Sequence, residues 1–230
     1  MPLNNAKLIV DAVIFDLDGT LIDSAEVYFR LVEEACKRLD LPIPSRETIL
    51  DAARTGKGDL RKILSEKTIS REDKKIDQVM VVIRELFQKK FKDTVRLIPG
   101  AADLLRLIHR VGKRIGLVTA THLRYLDAKM YPLKKARVAS LIESVICIED
   151  VSRYKPEPDP LIECAVRLGV SADRSVYVGD SNVDIRAGKA AGMKTVGVLT
   201  GIDGYERLKN ERPDLILKSI AELSGIIHFE

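Results

Sequence analysis

The sequence predicts an α/β protein, a doubly wound parallel sheet with an all-helical domain inserted after its first strand. Three observations point there. Short β-branched runs bounded by turn residues recur along the chain, most of them nearly continuous in apolar residues, as strands buried on both faces are. From residue 100 onward these runs alternate with helical patterns. Between about residues 25 and 94 that rhythm breaks, and no convincing strand occurs.

In chain order, "LIVDAVIF" is the first strand, and it runs directly into "DLDGT". "AEVYFRLVEEACKRLDL" then places Val27, Leu31, Val32, Ala35 and Leu39 along one helical face. "SRETILDAAR" and "GDLRKILSEK" read as two shorter helices, punctuated by Pro42, Pro44 and the Gly56/Gly58 pair. "SREDKKIDQVMVVIRELFQKKFKD" is a long helix, with Ile76, Val79, Met80, Ile83, Leu86, Phe87 and Phe91 spaced by three or four. Ser70 is its expected N-cap, ahead of an acidic first turn. The helix "GAADLLRLIHRVG" closes at Gly112 and leads to the strand "KRIGLVT". The strand "SVICI" and the helix "DPLIECAVRLGV", closed by Gly169, come next. "SVYVG", the short helix "DIRAGKAAGM", "KTVGVL" and "LILKS" complete the sheet. The predicted domains are a sheet domain of residues 1–24 and 95–230 and a helical domain of residues 25–94.

Composition narrows the function. With 46% hydrophobic and 31% charged residues, the 230-residue chain has enough apolar side chains for a sizeable core. The net charge of +4 is spread over mixed segments such as "SREDKKID", and no polybasic stripe forms, so a nucleic-acid partner is not expected. Cys36, Cys147 and Cys164 lie far apart without metal-ligand spacing and read as reduced packing residues. The start "MPLNNAKLIV" is no secretory signal, and no apolar run reaches membrane-spanning length. A cytoplasmic protein without a membrane partner is expected. Nothing marks a dimer surface, so monomer and homodimer both stay open.

In open α/β sheets ligands sit beyond the carboxyl ends of the strands. That rule sends Asp16 and Asp18, Thr119, Asp180 and Asp184 to one mouth, with Lys155 of "SRYKPEPDP" between them. Like charges that close are unfavourable unless a cation sits among them, and Mg²⁺ suits carboxylate oxygens. The remaining groups suit phosphoryl transfer. Lys155, the Thr119 hydroxyl and backbone N–H groups around Asp18 and Ala120 can meet phosphate oxygens. One Asp can act as nucleophile while a second carboxyl trades protons. Each residue also has a plainer reading. "DG" is ordinary turn chemistry, Asp184 can cap the following helix, and Lys155 or His122 can be solvated loop residues.

Taken together and in order, "DLDGTL", the threonine of "LVTA", "KPEPDP" and "GDSNVDI" resemble the four motifs of the haloacid dehalogenase superfamily. The tail "VDIRAGKAAGMKTVGVLTG" is similar to its phosphoglycolate phosphatase-like branch, and the helical insertion resembles the family's cap domain. The resemblance implies a Rossmann-like core and an Mg²⁺-dependent phosphatase that forms an aspartyl-phosphate and acts on a small phosphorylated metabolite. It implies Asp16 as nucleophile and Asp18 as general acid/base, the latter also binding metal through its main-chain carbonyl. Thr119 and Lys155 would hold the phosphate, and Asp180 would bind Mg²⁺ directly. Asp184 would be a metal ligand or a partner reached through water. Gly19 would permit the tight turn that brings backbone to the phosphate.

Asp18 favours a phosphatase over a dehalogenase, because an alkoxide leaving group needs an acid and a halide does not. Mutases of the β-phosphoglucomutase type carry a histidine shortly after the first motif, where this chain has Tyr28. A sugar phosphomutase, a pyrophosphatase or a non-catalytic binding module on the same fold are the alternatives. Specificity is expected from "ARTGKGDL", where Arg54, Lys57 or Arg61 could meet an anionic substrate such as phosphoglycolate.

Overall fold

The computed structural model describes residues 9–54 and 73–226, and of residues 51–54, 73 and 74 the backbone alone. The chain divides into two compact units, Met1–Asp23 with Arg96–Glu230, and Ser24–Val95.

The first unit is built on a six-stranded parallel sheet. Its strands are β1 (Ala12–Phe15), β4 (Arg114–Val118), β5 (Ser144–Ile146), β6 (Ser175–Gly179), β7 (Lys194–Val198) and β8 (Leu215–Leu217), in the spatial order β5-β4-β1-β6-β7-β8. Every residue of β1 and β6 is buried, which is why these runs carry no polar alternation. The first strand starts later than its apolar run suggests. Asp11 takes a bidentate contact from Arg174 at 2.8 and 2.9 Å at the exposed edge, and Ile9 lies open to solvent. Val10 is already buried, and Asp11 is the half-buried charge just ahead of the ladder that starts at Ala12.

Helices α4 (Ala101–Arg110), α7 (Asp159–Leu168), α8 (Asn182–Ala190) and α9 (Tyr205–Asn210) cover the sheet. Gly169 closes α7 with φ of 70°, as its place in the sequence predicts. Two further short helices, α5 (Leu123–Lys129) and α6 (Tyr131–Lys135), follow β4 and were not evident from periodicity. Ile14, Val118, Ile146, Leu161, Cys164 and Tyr177 form part of one buried cluster. The three cysteines are free and buried, and burial pushes the Cys147 and Cys164 thiols up to about 11, so they are unreactive packing residues.

The strand order places a switch point at β1. The chain builds outward from β1 through β4 to β5, then returns to β6 on the other side and continues to β7 and β8. Phe15 is in register with Leu117 of β4 and Val178 of β6. Asp16, Thr119 and Asp180 are each the first residue past their strand, so the register delivers them to the same end of the sheet.

The second unit contains α1 (Ala25–Arg38), α2 (Arg46–Arg54) and α3 (Asp73–Thr94). Val27, Leu31, Val32 and Ala35 of α1 are buried, as are Ile76, Val79, Ile83, Leu86, Phe87 and Phe91 of α3. Met80 and Leu39, on the same predicted faces, are half-buried. The Phe87 and Phe91 rings stack at 4.2 Å, and Lys90 bonds Glu34 at 2.6 Å across α3 and α1. The predicted helix "GDLRKILSEK" and the Ser70 cap lie outside the described residues. Just before this unit the chain forms β2 (Ile22–Asp23), and just after it β3 (Arg96–Leu97). The two pair antiparallel, so the chain leaves and re-enters the sheet unit through one short ladder.

Candidate active site

The loops at the carboxyl ends of β1 and β6, with the turn before α7, bring together the residues that carry charge. Lys155 Nζ lies 2.7 Å from Asp16 Oδ1 and 2.7 Å from Asp184 Oδ1. The Tyr177 hydroxyl is 3.0 Å from the same ammonium and donates to Asp184 Oδ1 at 3.0 Å. These groups are nearly sealed from solvent, with side-chain exposures of 6% for Lys155, 9% for Asp16 and 3% for Asp184. Asp180 is also buried. The Ile202 N–H donates to its Oδ2 at 2.7 Å, and the Thr20 hydroxyl approaches its Oδ1 at 3.4 Å.

One carboxylate oxygen from each of Asp16, Asp180 and Asp184 lies within 4.8 Å of the others. Three carboxylates and one ammonium make the cluster negative. Burial pushes the Asp16 carboxyl up to about 7, against the pull of Lys155 and with help from Asp184 and Asp18. Burial, Asp184 and Asp16 push Asp180 up as well. Burial works against the Lys155 ammonium, but Asp16 and Asp184 outweigh it and hold it charged. The protein's own residues therefore leave anionic charge uncompensated in a dry pocket.

The donors suit a hard divalent cation. They are all carboxylate oxygens, with no thiolate or imidazole among them. Backbone closes around them. A Cβ on Gly201 would fall 1.8 Å from Asp180 Oδ2, and one on Gly19 would fall 2.5 Å from it. Gly19 also has φ of +78°, which an L side chain rarely adopts, so both demands at this turn select glycine.

The three carboxylates are not equivalent in their capacity to take a metal. Asp184 Oδ1 accepts from Lys155 and Tyr177, and its Oδ2 accepts from the N–H and hydroxyl of Ser181 at 3.1 and 2.5 Å. Two donors on each oxygen use up the lone-pair directions of a carboxylate. The N-cap of α8 is Ser181 and not Asp184, which lies inside the helix three residues on and closes a capping box with that serine. Among the described residues Asp16 accepts from Lys155, and Asp180 from the Ile202 N–H and the Thr20 hydroxyl.

Asp18 stands apart from the cluster. Its carboxylate Oδ2 meets Lys129 Nζ at 2.5 Å and the Thr121 hydroxyl at 3.4 Å, and its side chain is 31% exposed. Thr119 is fully buried and donates to Thr121 Oγ1 at 2.8 Å, while Ala120 beside it is exposed. His122 is an exposed loop histidine, 2.7 Å from Glu149. Arg54 ends α2 with its side chain outside the described residues, and Lys57 and Arg61 lie outside them altogether. Sequence reasoning missed Tyr177, Ser181, Thr121 and Lys129. Only the Ser181–Asp184 spacing, a capping-box pattern, offered a signal. A surface hollow lined by Tyr205, Lys209, Pro213 and Ile216 shares no residue with this cluster.

Residues 13–198 match the family described as haloacid dehalogenase-like hydrolase. The phosphoglycolate phosphatase of Salmonella paratyphi A is 32% identical over 233 residues, spanning 93% of this chain and 91% of its own. A predicted phosphoglycolate phosphatase from Haemophilus somnus superposes with a TM-score of 0.82 at 21% identity, covering 94% of this chain and 97% of its own, a likeness of fold. CbbY from Rhodobacter sphaeroides, solved in complex with phosphate, superposes with a TM-score of 0.75 at 26% identity, covering 94% and 99%.

Proposed function

The chain belongs to the haloacid dehalogenase-like hydrolases, and on that premise we propose that it is an Mg²⁺-dependent phosphatase acting on a small phosphate monoester through Asp16. The observation that carries this reading is the buried Asp16–Asp180–Asp184 cluster on Lys155, just past the ends of β1 and β6.

In the proposed reaction Asp16 attacks phosphorus. The bond from phosphorus to the substrate oxygen breaks as the bond to the Asp16 carboxylate forms. Asp18 gives its proton to the departing alkoxide oxygen. Water then attacks the aspartyl-phosphate, Asp18 takes the proton back, and inorganic phosphate leaves with Asp16 restored. Lys155 offsets part of the negative charge and holds Asp16 in one orientation, with Asp184 and Tyr177 fixing the ammonium in turn. The Thr119 hydroxyl and the backbone N–H groups around Asp18 and Ala120 hold the transferring phosphoryl oxygens. Asp16 and Asp180, with the Asp18 main-chain carbonyl, would hold the divalent ion. When bound, such an ion would supply positive charge to offset the anionic phosphoryl group and carboxylates. Asp184, its lone pairs taken by Lys155, Tyr177 and Ser181, is a supporting partner of that ion rather than a direct ligand.

For the substrate, we favour a short phosphorylated acid of the phosphoglycolate kind. The name of the relative that is 32% identical supports this, as do the cations expected in "ARTGKGDL". The helical unit Ser24–Val95 would then serve as the cap, with Arg54 and Lys57 reading the substrate carboxylate. The test is a panel of phosphorylated metabolites compared by kcat/KM with Mg²⁺ present. A preference for phosphoglycolate that Lys57→Ala erases supports the assignment. An unchanged preference in that variant removes the cap residue from it.

A further inference from the structure

Asp18 is held by a lysine that no motif of the chain announces. The backbone at Asp18 is already fixed. It bridges to Ile22, and the Gly19 N–H donates to the Ile22 carbonyl at 2.8 Å in the tight turn that follows β1. What the turn does not fix is the side-chain rotamer. Lys129, at the end of α5, does so: its ammonium sits 2.5 Å from Asp18 Oδ2, and the Thr121 hydroxyl approaches the same oxygen at 3.4 Å. Thr121 is bonded in turn to Thr119, so the group proposed to hold phosphate and the group proposed to move protons share one network.

Stability is a poor reason for this arrangement. A pair in which Asp18 is 31% exposed gains little from Coulomb attraction, while the long lysine side chain, 19% exposed, gives up its rotameric freedom to make it. Orientation is a better one. A carboxyl that must meet a departing oxygen, and then a water, works only from a narrow range of positions, and fixing one oxygen orients the whole planar group.

We propose that Lys129 is a positioning residue that holds the Asp18 carboxyl where it can protonate the leaving group. The proposal rests on the assignment of Asp18 as general acid/base. In the step concerned the proton passes from Asp18 to the leaving oxygen as the phosphorus–oxygen bond breaks. Lys129 keeps its own proton throughout.

The experiment compares kcat/KM for p-nitrophenyl phosphate and phenyl phosphate at saturating Mg²⁺. The two are close in shape, but p-nitrophenol departs readily as an anion and phenol needs a proton. kcat/KM reports the steps through leaving-group departure. Lys129→Met should lower it for phenyl phosphate by roughly 30-fold or more, and for p-nitrophenyl phosphate by about 3-fold or less. KM for both should change little, the melting temperature should stay near that of the parent, and Lys129→Arg should restore most of the loss on phenyl phosphate. Equal losses on both esters with a raised KM would make Lys129 a phosphate-binding group and overturn the proposal. No loss on either ester would overturn it as well. Asp18→Asn, measured in parallel, separates the two layers. If it shows the leaving-group-dependent loss and Lys129→Met does not, only the role of Lys129 falls. If Asp18→Asn itself shows none, the acid/base assignment falls and takes the proposal with it.

Discussion

Two lysine–aspartate contacts lie past the end of β1, two residues apart in their acids, and they are built on opposite terms. Lys155 is shared between Asp16 and Asp184 in a pocket where no side chain is more than 9% exposed. Lys129 meets Asp18 at the surface of the same loop, where the carboxylate is 31% exposed. The inner group is short of positive charge and cannot recruit water to make up the deficit. The outer contact sets one ammonium against one carboxylate within reach of solvent. Burial thus divides the labour. Under the proposed function, the inner group would store charge in a fixed geometry for an incoming phosphate and cation, while the outer carboxyl would keep the access that proton exchange requires.

The harshest test of that division is Asp16→Asn, which keeps shape and removes the nucleophile. Turnover of p-nitrophenyl phosphate with Mg²⁺ should fall by on the order of 10⁵-fold. The melting temperature should hold or rise, since one of three crowded carboxylates becomes neutral. Comparable turnover would sink the nucleophile assignment. Next in size is Lys155→Met. Activity should fall by on the order of 10³-fold, and because Asp16 and Asp184 lose their shared cation inside the protein, unfolding free energy should fall by about 3 kcal/mol in urea melts.

A metal should relieve the inner cluster and leave the outer pair alone. Saturating Mg²⁺, at about 100 times its dissociation constant, should stabilise the protein by about 2.7 kcal/mol, read as a rise in melting temperature. Asp180→Asn should erase most of that rise. The pH dependence has a definite sign. The Asp16 carboxyl is raised to about 7 in the folded chain, above its ordinary range, so the folded state binds the extra proton. Its contribution to stability is therefore greatest at acid pH and is lost as pH rises toward and through 7. Asp180, raised in the same direction, adds to the trend. The metal-free protein should weaken between about pH 4 and pH 8, and Mg²⁺ should stabilise it more at the upper end of that range. A metal effect independent of pH would count against the inner carboxylates as its site.

The inner cluster was legible in the sequence and the outer pair was not, for a physical reason. Asp16 and Asp180 follow uninterrupted apolar strands, so the parallel-sheet rule alone carries them to one place. Asp184 sits at capping-box distance from Ser181. Tyr177 was hidden because its ring packs among apolar neighbours, and only its hydroxyl reaches the polar group. Lys129 was hidden because α5 buries none of its residues, and Leu123, its first residue, is 65% exposed; Thr121 lies in the loop ahead of that helix. A helix with no apolar face leaves no periodicity to read. Gly201 was missed because its closeness to Asp180 arises from the loop after β7, a contact that spacing in the chain cannot express.

The smallest expected effect is also the one that separates the two contacts most cleanly. Lys129→Met should cost less than about 1 kcal/mol of stability, the ordinary worth of a partly exposed ion pair, against about 3 kcal/mol for Lys155→Met. Both substitutions remove one ammonium from an aspartate past β1, so their chemistry is matched and only burial differs. Salt should sharpen the contrast, because mobile ions screen the outer contact and reach the inner one poorly. Urea melts of both variants at low and high salt supply the measurement. The outer cost should shrink toward zero in high salt while the inner cost persists. Equal costs for the two, or an outer cost that salt leaves untouched, would mean that Lys129 is as deeply built into the fold as Lys155. The division between a charge store and a solvent-accessible proton carrier would then have to be given up.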